Sequence, residues 1–327
     1  KDISFIVGNR SGKNRSKIHK DINLIDLNKK RLLKCFIPLV EIIIKLKPNQ
    51  IITTLVHSNI FFCFLKYFYK LDFKLIIRET NIIPPVYLSF GEKLKFEIIK
   101  FLKKRLYNNA DYVIAINSRS KKELLSIGIK KKKIKLFKNP SIKENFLNQT
   151  DKKVDKFLVK EKYILYVGRL VKHKNLNFLL NVFYHIQNKT SLKLILIGQG
   201  EEKINLINLS LKLGIEKKVF FLGYKINPLP FIKNANFYVS FSEYEGQPNS
   251  VIQSLACGTK TLVKTFPGLD NELKKSRNLK IINKLKISKV GEIILKETNY
   301  DKKKNFDKKI IETFNEKKYS NQIIKLI

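Results

Sequence analysis

The stretch "FSEYEGQPNSVIQSLACG", residues 241–258, gathers residue types that suit a turn into a helix start able to bind a phosphate. An apolar run, "ANFYVSF", ends in two carboxylates, Glu243 and Glu245. Gly246 permits an unusual turn there, and Pro248 fits the first turn of a helix. The backbone N–H groups of Asn249, Ser250 and Val251 would then be free to face a phosphate, with Glu245 just before them. Gln253 follows on the first turns of the same helix.

A second cluster lies upstream. "YILYV" is followed by "GRLVKHKN", which holds Gly168, Arg169 and Lys174. Two cations around a turn suit a diphosphate, because Arg forks onto two oxygens and Lys adds a point charge. In a Lys-rich chain they also fit a pair of solvated surface cations, but Arg is scarce here and this one follows a strand-end glycine. "GQGEE" places Gly198 and Gly200 on either side of a turn, and "GY" places Gly223 and Tyr224 after another apolar run. Alone, each of these two signals also fits an ordinary turn.

The elements that must position these groups alternate along the chain. Apolar runs at 3–7, 50–56, 73–78, 111–117 and 133–137 read as strands, and 29–47, 58–70 and 91–109 repeat apolar residues at helical spacing. A polar, charged stretch after Pro140, "SIKENFLNQTDKKVDKF", reads as a linker. The alternation then restarts, with strands at 163–168, 192–198, 218–223, 235–241 and 259–264 and helices near 175–188, 201–213 and 248–257. Continuous apolar strands indicate parallel pairing with both faces covered. The expected fold class is therefore α/β, with two doubly wound Rossmann-like domains facing a cleft and ligands at the strand carboxyl ends.

Composition sets outer bounds. The 327 residues carry 66 Lys+Arg against 27 Asp+Glu, a net charge of +39. That suits nucleic acid, an anionic membrane surface or an anionic small substrate. The excess is nearly all Lys and comes with abundant Asn and Ile, as an AT-biased coding sequence would give, so it weighs little. Cys35, Cys63 and Cys257 are scattered, and His19, His57, His173 and His185 lack metal-ligand spacing. Reduced thiols and a cytoplasmic setting are expected, with no zinc site. No apolar run reaches a membrane span. There is no Met at all, and residues upstream of position 1 are expected.

Taken in order, four strand ends resemble the donor-binding domain of the GT-B glycosyltransferases of family 4, the group 1 glycosyltransferases. "YVGRLVKHKNLNFLLNVF" is similar to the family's G-R-L…K-G segment, and "LILIGQGEE" to its (V/I)-G-x-G-x-E turn. "VFFLGY" is similar to F-L-G, and "NANFYVSFSEYEGQPNSVIQSLACGTKTLV" to the S-x-x-E-G-x-P-x-x-x-x-E-A-x-A-x-G block. The match is strong over about 160–275 and weaker over 50–140, through "IIRETN" and "ADYVIAINSRSKKELLSIGI".

The resemblance implies roles. Residues 1–147 would bind the acceptor, and residues 148–327 the nucleotide sugar, with the last helix packing back on the first domain. Arg169 and Lys174 would hold the pyrophosphate and neutralise the leaving group, Glu245 would face the donor sugar, and position 253 would bind the ribose. Gly168, Gly198, Gly200, Tyr224, Gly246, Asn249, Ser250 and Val251 would line the donor site. Transfer would retain anomeric configuration, use a nucleotide sugar (UDP-linked) as co-substrate and need no metal or other cofactor.

This chain departs from the family twice. The family's second glutamate is Gln253 here, which keeps hydrogen bonding but loses charge. The family's first strand and Gly-rich loop are expected upstream of residue 1, since "ISFIVGNRSG" is similar to its second strand.

For the acceptor side, His57 and Arg78-Glu79-Thr80-Asn81 lie at strand ends, and Glu79 is the candidate for orienting the acceptor or handling its proton. The aromatic, basic helix at 58–70 is a packing helix or touches lipid at one edge. The reading expected is thus a retaining glycosyltransferase for cell-surface polysaccharide or lipopolysaccharide, acting on a glycan or lipid-linked acceptor. It would be cytoplasmic, with peripheral contact to anionic membrane at its inner face. A non-catalytic sugar-nucleotide-binding protein is the alternative. A nucleic-acid-binding protein is a weaker one, because no recognition motif accompanies the charge and no specific nucleic-acid partner is expected.

Overall fold

The computed structural model describes residues 3–9, 18–29, 32–79, 89–152, 154, 161–298 and 305–327. The chain divides into two compact units, one of residues 1–80, 90–114 and 124–135 and one of 81–89, 115–123 and 136–327.

Two parallel sheets lie in the N-terminal part. Among the described residues β1 (Ser4–Val7) pairs with β2 (Asn23–Asp26) alone, a strand whose "NLID" offers too short an apolar run to stand out in the sequence. β1 is therefore not a member of the larger sheet, as the even alternation of elements had suggested. That sheet has the order β3 (Gln50–Thr54), β4 (Lys74–Arg78), β5 (Tyr112–Ala115), β6 (Ile134–Leu136). Leu75, Ile76, Ile77, Val113 and Ile114 have no solvent exposure, as their continuous apolar runs require. The helices of this part are α1 (Phe36–Leu46), α2 (Val56–Phe68), α3 (Phe90–Leu106) and α4 (Ser118–Ser126). Asn117 caps α4 reciprocally: its Oδ1 accepts from Ser120 N at 2.8 Å, and its own N–H donates to Ser120 Oγ at 3.2 Å.

In the second unit the first part of the stretch read as a linker, 141–150, is built into the fold. Ile142 is fully buried and bridges to Asn315, and Phe146 opens the short α5 (Phe146–Thr150) inside the core. Six parallel strands follow: β7 (Tyr163–Val167), β8 (Lys193–Ile197), β9 (Val219–Gly223), β10 (Phe237–Ser240), β11 (Thr261–Lys264) and β12 (Leu279–Ile282). Between and after them run α6 (Leu176–Ile186), α7 (Lys203–Lys212), α8 (Leu229–Asn234), α9 (Asn249–Ala256), α10 (Asn271–Lys274), α11 (Ile287–Thr298), α12 (Lys308–Thr313) and α13 (Glu316–Ile324).

Strand periodicity divides this core into two layers. Tyr163, Leu165, Ile195, Ile197 and Tyr238 pack on one face with Ile232, Val251, Leu255 and Ile310. Their neighbours Ile164, Tyr166, Leu194, Leu196 and Val239 pack on the other with Leu180, Phe183, Leu206 and Val290. Successive side chains point to opposite faces, so both layers must be apolar. The strand order is β12-β11-β10-β7-β8-β9. Order reverses between β7 and β10, and in such sheets the crevice for ligands lies at the carboxyl ends of the strands flanking that point. The two clusters singled out in the sequence follow β7 and β10.

The three cysteines form no disulfide and are buried. Burial pushes the Cys63 thiol up to about 12, which leaves it unreactive at neutral pH. Among the described residues no helix is long and apolar enough to cross a membrane.

Candidate functional site

The loop after β7 is held by its neighbours. Gly168 N–H donates to Ile197 O and Leu170 N–H to Gln199 O, both at 2.9 Å, and Gly198 N–H donates to Gly223 O at 2.8 Å. A Cβ at Gly198, whose φ is +148°, would stand 1.8 Å from the Gly168 carbonyl oxygen; one at Gly200 would stand 2.1 Å from Leu170 O. The two glycines are thus required by the close approach of two backbones. Gly198→Ala is expected to destabilise the protein by about 3 kcal/mol or more. Gly214, at φ +66° with nothing within 4 Å of a Cβ, should cost about 1–2 kcal/mol when changed to Ala. Urea unfolding of the two variants checks the order; equal costs would show that the backbones can move apart.

Arg169 emerges from this loop exposed, with no ion pair or hydrogen bond of its side chain among the described residues. Its carbonyl accepts from the Tyr166 hydroxyl at 2.9 Å. Burial pushes that hydroxyl's pKa well above its ordinary value, so it stays a donor. A 3₁₀ turn at Lys172–Lys174 follows, and Asn175 then takes the left-handed conformation, φ 55° and ψ 42°, to start α6. Asn175 stands where the family segment has glycine after its lysine, and Asn is among the few residues that tolerate this region.

That turn carries Lys174 inward, 7% exposed, onto Glu245 Oε1. Ser242 Oγ donates to the same oxygen at 2.8 Å. Oε2 has no partner among the described residues. Glu243 N–H donates to His173 O at 2.9 Å, and the His173 ring stacks on Tyr244 at 4.5 Å. Burial, then the neighbouring Lys174, lowers the His173 pKa, so this imidazole is neutral at pH 7.

The rest of the acid loop is fixed by polar side chains that sequence reasoning missed. Asn117 Nδ2 donates to Gly246 O at 2.6 Å. Gln247 accepts from Asn139 N–H at 2.9 Å and donates to Asn139 O at 3.0 Å and to Ser141 Oγ at 2.9 Å. Gly246 makes this turn without the positive φ that Gly198, Gly223 and Gly258 adopt.

At the start of α9 the expectation of three free N–H groups needs correction. Asn249 N–H bonds Gln247 O at 3.0 Å, because the chain tightens before the helix, and only Ser250 and Val251 keep N–H groups without a backbone acceptor. Asn249 Oδ1 accepts from Ser141 Oγ at 2.8 Å. The Tyr238 hydroxyl lies 2.8 Å from Ser250 Oγ and 3.2 Å from Val167 O, which ties β7, β10 and α9 together. Gln253 Nε2 donates to Ser141 O at 3.2 Å. Tyr224 is exposed beyond Gly223.

Glu79 lies in the first unit and is fully buried at the end of β4. Lys103 Nζ reaches its Oε1 and the Tyr107 hydroxyl donates to its Oε2, each at 3.0 Å. Burial, then the adjacent carboxylate, raises the Tyr107 pKa well above its ordinary value. Asn59 donates to Tyr107 Oη and to Arg78 O. Both carboxylate oxygens of Glu79 are therefore engaged by the protein. His57 is exposed in the first turn of α2, and Thr80 and Asn81 fall outside the described residues.

The doubly wound parallel sheets are those of the GT-B fold, as superposition on solved structures shows. HepE from Anabaena, solved with UDP and glucose, superposes with a TM-score of 0.76 at 15% identity over 98% of this chain and 90% of its own. The lipopolysaccharide outer core galactosyltransferase WaaB superposes at 0.68 and 18% identity, over 99% and 88%. The family profile of glycosyl transferases group 1 matches residues 148–325, and the chain belongs to that family. A Campylobacter jejuni enzyme, the N-acetylgalactosamine-N,N'-diacetylbacillosaminyl-diphospho-undecaprenol 4-alpha-N-acetylgalactosaminyltransferase, is 32% identical over 185 residues, 56% of this chain and 49% of its own length. The amylovoran biosynthesis glycosyltransferase AmsD of Erwinia amylovora is 28% identical over 158 residues, 48% and 44%. Such matches span about half the length of these curated relatives.

Proposed function

We propose that the chain transfers a hexose-type sugar, with retention, from a UDP-sugar to a glycan or lipid-linked acceptor at the inner face of a membrane. The observation that carries this reading is Arg169, an exposed guanidinium without an ion pair among the described residues, on the loop after β7 that also carries Lys174 to Glu245. As the C1–O bond to the diphosphate breaks, negative charge collects on phosphate oxygens. Arg169, Lys174 and the N–H groups of Ser250 and Val251 would meet that charge, without calling on a metal. Glu245 Oε2 would face the sugar hydroxyls, and Gly168, Gly198, Gly200, Tyr224, Gly246 and Asn249 would shape the surrounding wall. Uridine as the base is supported by UDP in HepE, and a lipid-linked acceptor by the diphospho-undecaprenol in the name of the Campylobacter relative. Glu79 would act on the acceptor side indirectly, by fixing the end of β4 through Lys103 and Tyr107.

Gln253 provides the test. A carboxylate cannot donate to Ser141 O, so Gln253→Glu is expected to lower stability by about 1 kcal/mol. If position 253 meets the ribose, the same change strengthens a hydroxyl contact by charge and should tighten UDP binding several-fold. Calorimetry with UDP and with ADP, on both chains, reads this out. No UDP binding by the unaltered chain refutes the donor reading. Unchanged or weaker binding by the variant removes position 253 from the ribose.

A further inference from the structure

Helix α3 presents a second apolar face to solvent. Its inward side is accounted for: Lys103 pairs with Glu79, Leu106 and Tyr107 are buried, and Phe96, Ile99 and Leu102 are half-buried. Yet Phe90, Leu94, Ile98 and Phe101 are 89%, 61%, 51% and 56% exposed. At 3.6 residues per turn these four fall within an arc of about 80°, a continuous stripe along the helix. Scattered exposed apolar residues need no explanation, but four aligned large ones do.

The surroundings of the stripe carry a sign. Lys93, Lys100 and Lys104 flank one side of it, Lys95 lies beyond the other, and all are exposed. Arg105 reaches over the Phe101 ring, 5.4 Å from its centroid, so its stem covers the stripe's end while its charge stays outward. The helix has two acids, Glu92 and Glu97, and Lys100 lies 3.7 Å from Glu97. Segment 58–70, which holds most of helix α2, offers one exposed lysine, Lys70, against the four of α3. It exposes Phe64, Tyr67 and Phe68, but its Lys66 turns inward to Asp111 and to Phe73 O. The basic, aromatic segment singled out in the sequence at 58–70 is therefore not the better candidate.

We propose that α3 is a membrane-docking helix, laying Phe90, Leu94, Ile98 and Phe101 into the headgroup–acyl boundary of an anionic bilayer while its lysines meet lipid phosphates. Large apolar side chains bordered by Lys and Arg are the composition of interfacial helices, and each Lys near an anionic surface adds attraction that salt screens. The argument stands on α3 alone and is independent of the donor assignment.

The chain contains no Trp, so Leu94→Trp installs a single fluorescent reporter on the stripe, and Phe90→Trp a second should the first disturb folding as judged by circular dichroism. Ile226, 80% exposed in the other unit, gives the control Ile226→Trp. With phosphatidylglycerol vesicles the stripe reporter should shift to the blue and be quenched by brominated acyl chains. The control should do neither. Leu94→Glu and Ile98→Glu should each lower vesicle partitioning about tenfold, the cost of withdrawing one large apolar side chain from the bilayer, and added salt should release the unaltered protein. A reporter unmoved while the protein still sediments means that another surface docks. Equal partitioning to phosphatidylcholine vesicles refutes the charged account. A blue shift that depends on protein concentration without vesicles assigns the stripe to a second copy of the chain. Each of these outcomes overturns the proposal.

Discussion

Arg169→Ala is expected to leave thermal stability unchanged while weakening UDP binding and slowing transfer by roughly 30- to 1,000-fold. The side chain is exposed and holds no partner among the described residues, so its removal is expected to cost the unliganded fold little. Under the proposed function, what it would give up is a charged, forked contact to the diphosphate, worth about 2–4 kcal/mol where such charge develops. Arg169→Lys should recover only part of the loss, because a point charge cannot grip two oxygens. Calorimetry with UDP and steady-state rates on the same samples separate binding from turnover. Unchanged turnover in Arg169→Ala would sink the pyrophosphate assignment, and a fallen melting temperature would mean the residue is structural.

The strands of the second unit were legible because each is apolar on both faces. "YILYV", "KLILI" and "FYVS" feed two layers at once, so no polar position interrupts them. Their order was not legible, yet it decides where the site lies, since β10 returns beside β7 across two intervening strands in sequence. The glycines of "GQGEE" were visible, but the backbone they make room for belongs to the preceding loop. Asn117 and Gln247 were invisible as site residues. Each is an ordinary polar residue whose partner is distant in sequence: Gly246 for the first, Asn139 and Ser141 for the second. The one available hint was that Asn117 closes an apolar strand run and opens a helix. β2 and β12 were missed because polar residues break their apolar runs, Asn23 and Asp26 in "NLID" and Lys280 in "LKII". The pairing of Lys174 with Glu245 was also hidden, because both were read as ligand contacts and neither as a contact of the other.

That pairing sets the second large expectation. Lys174 and Glu245 are mostly buried, with side chains 9% and 18% exposed, so each screens the other until a donor arrives. Removing one member strands the other. Lys174→Met should cost about 3–5 kcal/mol of stability if Glu245 stays charged and buried, at the upper end of single-site effects. Glu245→Gln should cost less, since the amide oxygen can still accept from Ser242 and Lys174. Its larger effect should fall on chemistry: if Glu245 faces the donor sugar as proposed, kcat should drop on the order of 10²–10³-fold, because a charge held by two fixed donors is lost. The double variant Lys174→Met/Glu245→Gln should be more stable than the sum of the singles predicts, by about 1–3 kcal/mol, while its turnover stays as low as that of the worse single. Denaturant unfolding of all four chains closes the stability cycle, and kcat on the same four closes the catalytic one. Additive stabilities would mean the ion pair contributes no coupling. A Glu245→Gln variant with normal kcat and raised KM would place Glu245 in ground-state binding alone, and the charge facing the reacting carbon would have to be sought elsewhere.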